Sequence, residues 1–314
     1  MAGMAVDVAG VGTPQRHRLR GALAFLIVYL VWGSTFLAIR YAVETVPPFF
    51  TAASRHLVAG SILLAWAWWK GERPSAQAWR MGLILGFLFF LVGHGTLHWA
   101  ETRVPSGVAA LVVAVEPIFV AGMIPLFRIG GPPGAKTYLG LALGAASVAV
   151  LFQPDVPTAD GIVPGLLAVL LGSLSWAIGV VLSRKLQERR DGQVDTSAMN
   201  AALPLLCGAG MLAVGGLALG EQDQFSLSAV STLSLIGLLY LIVFGSLLAF
   251  TAYSWLLRHY PPTLVATHTY VNPIVALILG WAVAGERVTS SIVISAALAV
   301  AAIALVNTGE QSRA

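Results

Sequence analysis

Ten stretches of 16 to 25 mostly apolar residues, joined by short polar loops, fill this chain. A hydrocarbon core about 30 Å thick is crossed by roughly 20 apolar residues wound as a helix. Inside that core every backbone N–H and C=O needs a partner within the protein, which a helix supplies by itself. The lengths predict spans near 21–39, 49–69, 81–100, 107–127, 137–152, 162–182, 199–219, 233–257, 263–284 and 290–307. The fifth is the shortest. Little chain is left for a soluble domain. The expected class is all-α integral membrane.

Of the 314 residues, 57% are hydrophobic and only 10% charged, against about a quarter charged in soluble proteins. The single cysteine, Cys207, excludes an intrachain disulfide. The net charge of +4 does not indicate a nucleic-acid partner, because the basic residues flank the spans and form no patch. They report orientation instead. Ten spans put both termini on one side, with 14 Lys and Arg; the other side has three, Arg40, Arg103 and Arg287, and Arg55 lies within a span. The positive-inside rule then places both termini in the cytoplasm. The N-terminus does not read as a cleavable signal peptide, since the apolar run after Arg20 is too long.

The two halves resemble each other. Gly33-Ser34 with Ala38-Ile39 recurs 139 positions later as Gly172-Ser173 with Ala177-Ile178. Trp99, Pro105 and Pro117 recur 156 positions later as Trp255, Pro261 and Pro273. The basic loop 183–198 accounts for most of the added length. Each half holds five spans, an odd number, so the second half enters the membrane from the opposite side. The expected organisation is a tail 1–20, a five-helix repeat 21–152, an inverted five-helix repeat 162–307 and a tail 308–314. Inverted repeats are a transporter architecture, with the solute handled near the midplane.

Glu116 is the only acid deep in a span. A charge at a helix centre costs roughly 2.5–3.5 kcal/mol, so an acid there marks a functional site by default. Two roles are open to it: solute binding with proton coupling, or a neutral acid bonding a neighbouring helix. Its repeat partner is Asn272, and each precedes a proline, Pro117 or Pro273. Proline deprives the carbonyl four residues earlier, here Val113 or Thr269, of its N–H. Such carbonyls are tolerated beside a wet cavity. Two kinks around a central cavity, or two packing kinks, are the readings.

His94 and His98, four residues apart, share a helix face, with Glu101 following. Gly95 stands where a zinc-protease helix needs Glu, and Glu101 falls in the predicted outer loop, so the expectation is no metal site. Cavity lining, proton handling and packing stay open for the pair. His268 shares the face of Asn272. Arg55, two turns from a span end, is expected to snorkel to the interface in a structural role; pairing with Glu116 or attracting an anion stays open. Trp32, Trp99, Trp176, Tyr253 and Tyr270 lie on repeat-matched helices and are candidate cavity walls. Gly82/Gly86 and Gly140/Gly144 have the spacing of close helix contacts.

In order along the chain, Trp32-Gly33-Ser34-Thr35 with Arg40, Pro47-Pro48, Trp99-Ala100-Glu101, Val104-Pro105-Ser106-Gly107, Ser173 through Ala177, Tyr270-Val271-Asn272-Pro273 and Gly285-Glu286 resemble the EamA family of the drug/metabolite transporter superfamily. The resemblance covers about residues 20–307. It implies ten helices with cytoplasmic termini in a bacterial inner membrane. It also implies a cavity lined by the first, third, fourth, sixth, eighth and ninth helices, and export or exchange of small metabolites, amino acids among them, or drugs. The first repeat departs, reading Arg128-Ile129-Gly130 where the second has Gly285-Glu286.

The expectation is an alternating-access secondary transporter without cofactor. Its expected partners are a small-molecule solute, the bilayer and protons as a coupling ion, and it is a monomer or homodimer. Its solute site is expected at Glu116, Asn272, His94, His98, Trp32, Ser34, Trp99, Trp176, Tyr253, Tyr270 and His268. An intramembrane metal enzyme on His94 and His98 and a non-transporting sensor are the alternatives. No ATP-binding motif supports a primary pump.

Overall fold

Apolar runs become helices here as their length requires. The computed structural model describes residues 14–127, 134–151, 153, 162–188, 197–260, 262–265 and 268–311, and no strand occurs among them. Arg128, Ile129, Gly130, Arg189, Arg190, Pro261 and Arg313 lie outside the described residues, as does the side chain of Tyr270.

The first half comprises α1 (Pro14–Ala42), α2 (Pro48–Trp69), α3 (Ala76–Ala100), α4 (Ser106–Val113), α5 (Glu116–Leu126) and α6 (Ala135–Val150). The second comprises α7 (Ile162–Glu188), α8 (Ser197–Ala218), the short α9 (Glu221–Gln224), α10 (Thr232–His259), α11 (Pro262–Val265), α12 (His268–Ala284) and α13 (Ser290–Gln311). Seven helices among the described residues are long and apolar enough to span a bilayer. The fifth, ninth and tenth expected spans hold shorter apolar helices, Ala135–Val150, Val271–Ala284 and Ser290–Ala302. Sixteen residues reach only about 24 Å at the helical rise.

The expected proline kinks take two forms. Pro117 cannot donate to Val113, and α4 ends there. Val115 N–H bonds to Val112 O (3.2 Å) at the step, and Ile118 N–H bonds back to Val115 O (2.9 Å) in the first turn of α5, which begins at Glu116. Pro273 instead lies inside one continuous helix, α12.

Two features were invisible in the composition. α3 and α10 each contain a nine-residue π-helical stretch, Gly86–His94 and Leu241–Ala249, lying 155 positions apart. Long π segments are rare and concentrate at functional sites. The helix contacts are paired too: α2 packs on α8, α6 on α13, α1 on α12, and α7 on α4 and α5. Each contact joins the two halves. Across α6 and α13 the Ser147 hydroxyl donates to Ser295 O at 2.9 Å.

At one end, two glutamates of the second half cap two helices of the first. α2 and α4 start beside Pro47 and Pro105 and have no side-chain cap of their own. Glu221 accepts from the N–H groups of Phe49 and Phe50, both at 2.9 Å. Glu286 accepts from Ser106 (2.8 Å) and Gly107 (3.1 Å). These are orphan donors of the first helical turn, where negative charge is favoured. Each glutamate follows a glycine in the left-handed region, Gly220 (φ 76°) and Gly285 (φ 66°). A β-carbon there would strain the turn that delivers the carboxylate.

Burial holds the Glu221 carboxyl above the usual carboxylate range, against the opposing pull of the two N–H bonds. The folded state therefore binds its proton more readily than the unfolded chain. Stability linked to Glu221 is present at low pH and is lost as pH rises through the raised folded value. Glu221→Gln should remove that slope and cost about 1 kcal/mol, the usual loss of a cap. Thermal unfolding of both proteins between pH 4 and 8 checks this; parallel pH profiles would refute it.

Candidate functional site

A cavity lies where the two halves meet, with walls from α1, α2, α3, α4, α5, α7 and α12. Mouth included, it encloses about 650 Å³ of space between protein atoms. Trp32, His94, Glu116, Trp176, His268 and Asn272 all line it, alongside Phe36, Ile39, Leu97, Val113 and Val169. The break between α4 and α5 sets Glu116 at the start of the lower half-helix, 3% exposed.

Aromatic rings close one side. Trp32 packs on Tyr253 at 4.6 Å between centroids, and edge-on to Trp176 (5.9 Å) and His268 (5.1 Å). The Trp176 indole donates to the Tyr253 hydroxyl (3.2 Å), and the Trp32 indole donates to Gly245 O in the second π segment (3.2 Å). Tyr253 thus supports the aromatic wall from behind. His268 Nδ1 faces Val265 O at 2.9 Å and so carries the proton. With its amide oriented so that both groups are satisfied, the Asn272 nitrogen donates to Tyr29 O (2.9 Å) and His268 O (3.1 Å), tying α12 to α1.

The remaining expected residues are elsewhere. His98 is fully buried one turn beyond His94, its Nδ1 donating to His94 O at 2.7 Å. Ser34 faces α10, where its hydroxyl meets the Tyr240 hydroxyl at 2.6 Å. Trp99 stacks under the Arg103 guanidinium at 4.0 Å, beside a separate recess that includes Glu221. Among the described residues no group of three or more His, Cys, Asp and Glu is placed to hold a metal.

One expectation is corrected. Arg55 does not snorkel: it is 2% exposed and lines the cavity. Glu101 is in the turn that follows α3, as expected, and is fully buried there, with neither carboxylate oxygen hydrogen-bonded.

A polar chain that the sequence reading passed over begins at Arg55. Its Nε donates to Ser246 Oγ (3.1 Å), which meets His56 Nδ1 (3.5 Å), and His56 Nε2 meets His94 Nδ1 (2.8 Å). His56 is fully buried. The available signal was Arg55-His56 within an otherwise apolar window. Ser246 gave none, since its aim depends on the π turn.

The family model of the EamA-like transporters matches residues 19–153 and 163–308. The chain belongs to the EamA-like transporter family. Among its EamA relatives is the inner membrane transporter YedA of Escherichia coli, 33% identical over 91% of this chain and 90% of that protein. The protein PecM of Dickeya dadantii is 30% identical over 80% of each chain. A chloroplastic WAT1-related protein of Arabidopsis thaliana is 28% identical over 89% of this chain and 67% of its own. A solved crystal structure shares the fold, with a TM-score of 0.65 at 20% identity, covering 94% of this chain and 99% of the other. The EamA chain is thus a multi-pass membrane transporter acting on a small-molecule solute.

Proposed function

We propose that this chain moves small amphipathic metabolites, amino acids and related solutes or drugs among them, out of the cytoplasm or in exchange, by alternating access. Residues 21–152 and 162–307 act as two inverted five-helix units in a cytoplasmic membrane, with both termini on the cytoplasmic side. The observation that carries this reading is the cavity between the halves, where the buried Glu116 and Asn272 face an aromatic wall. Polar groups at membrane depth are tolerated where they line such a space. Trp32, Trp176 and His268 shape the pocket. Paired helix contacts between the halves supply two nearly equal packings, one for each opening.

The test is uptake of a mixed metabolite pool by proteoliposomes, read by mass spectrometry against empty vesicles. Selective accumulation of a few solutes is expected. Folded protein giving no enrichment over empty vesicles would overturn the reading and move weight to the sensor and enzyme alternatives.

A further inference from the structure

Arg55 is a cation held inside the protein without a hydrogen-bonding partner on one arm. Its Nε is committed to Ser246, but Nη1 is buried and unpartnered. The guanidinium is accommodated because residue 245 is glycine: a β-carbon there would come within 2.8 Å of Arg55 Nη2. Glu101 is within electrostatic reach, yet its own oxygens make no hydrogen bond. A buried charge left without a bonded partner is costly, and a guanidinium cannot shed its proton.

The hydrogen-bond chain has two tautomer settings, and one of them gives the cavity a donor from His94. In that setting Ser246 Oγ accepts from Arg55 and donates to His56 Nδ1. His56 then carries its proton on Nε2 and donates to His94 Nδ1. A neutral imidazole that accepts at Nδ1 holds its proton at Nε2, so His94 offers the cavity an N–H. The Trp176 ring stacked on it at 5.2 Å and 19° fixes its plane. The opposite character appears elsewhere in the cavity. Thr35 and Ser173 spend their hydroxyl protons on Trp32 O and Val169 O, leaving lone pairs, and Glu116 adds a carboxyl.

We infer that the cavity recognises its solute through a single carboxylate, bound by the Arg55 guanidinium and the His94 N–H, with the solute's apolar part against Trp176, Phe36 and Leu97. This rests on the transporter reading above and narrows its substrate class. One guanidinium faced by acceptor groups suits a monoanion; a dianionic phosphate would meet Glu116 and the two hydroxyl lone pairs. A planar guanidinium also matches a carboxylate in geometry.

The experiment compares four acids with their carboxamides: leucine, phenylalanine, threonine and glutamine. Each amide keeps the size and the ammonium group and removes the anion. Binding to purified protein is read by thermal shift, and transport by counterflow in proteoliposomes. At least one acid should bind at least tenfold more tightly than its amide. That preference should disappear in Arg55→Gln and persist in part in Arg55→Lys. Equal binding of acid and amide, an undiminished preference in Arg55→Gln, or binding by none of the acids would overturn the inference. The acid-to-amide ratio in the unaltered protein needs no variant to fold. If the mixed pool yields only solutes that lack a carboxylate, the carboxylate inference fails while the transporter reading stands.

Discussion

Glu116→Gln should abolish the response of transport to a pH gradient while leaving solute exchange within about threefold of the unaltered protein. Glu116 lines the cavity at 3% exposure and begins a half-helix at the interruption beside Pro117. A carboxyl in that position can load a proton from one side and release it to the other as the cavity changes its opening. Glutamine keeps the shape and hydrogen-bonding capacity but has no proton to release. One coupled proton is worth about 1.4 kcal/mol per pH unit, or tenfold accumulation. Proteoliposomes with an imposed gradient of one unit should therefore accumulate solute up to about tenfold, and the variant should only equilibrate it. Undiminished accumulation by the variant would remove Glu116 from the coupling mechanism. If neither protein accumulates solute, the process is facilitated flux.

The second large effect is on folding. Gly86→Leu should lower stability by about 3 kcal/mol, seen as a fall of roughly 6–10 °C in apparent melting temperature. α3 crosses α8 at this residue. A β-carbon on Gly86 would lie 2.7 Å from Gly208 N, 2.9 Å from Cys207 Cβ and 3.0 Å from Pro204 O. Backbone atoms cannot turn away as a flexible side chain does, so the helices must separate and lose contact along their length. Gly122→Leu is the contrasting case. Nothing lies within 4 Å of its would-be β-carbon, and it should melt within about 2 °C of the unaltered protein, as surface changes usually do. Scanning fluorimetry in one detergent compares all three. Gly86→Leu melting with the unaltered protein would refute the close crossing.

Those two glycines show where reading the sequence reaches its limit. The spacing of Gly82 and Gly86 marks a close contact, which the structure places against α8. Nothing in the sequence names the partner helix, because apolar lipid-facing and helix-facing surfaces have the same composition. The same physics misplaced Arg55. A long side chain two turns from a span end can reach water, and only the packing of α2 against α10 denies it that route and supplies Ser246 instead. Trp99 and Ser34 were grouped with the cavity because they lie on repeat-matched helices. Trp99 stacks on its own chain neighbour Arg103, and the rotation of α1 turns Ser34 toward Tyr240.

Length and apolarity alone determine that this chain is helical and membrane-embedded, because a continuous apolar segment of about 20 residues satisfies its backbone in a bilayer within itself as a helix, whereas a barrel strand is about half that length and alternates in polarity. Internal repetition and the proline positions likewise follow from the order of residues, since proline's missing N–H acts locally. Tertiary structure decided what faces the cavity. The π segments re-aim His94 and Ser246, the two Gly-Glu pairs reach across to cap α2 and α4, and the Arg55–Ser246–His56–His94 chain forms from three helices. Those arrangements depend on rotation and register between helices, which an apolar sequence encodes only through the summed packing of all of them.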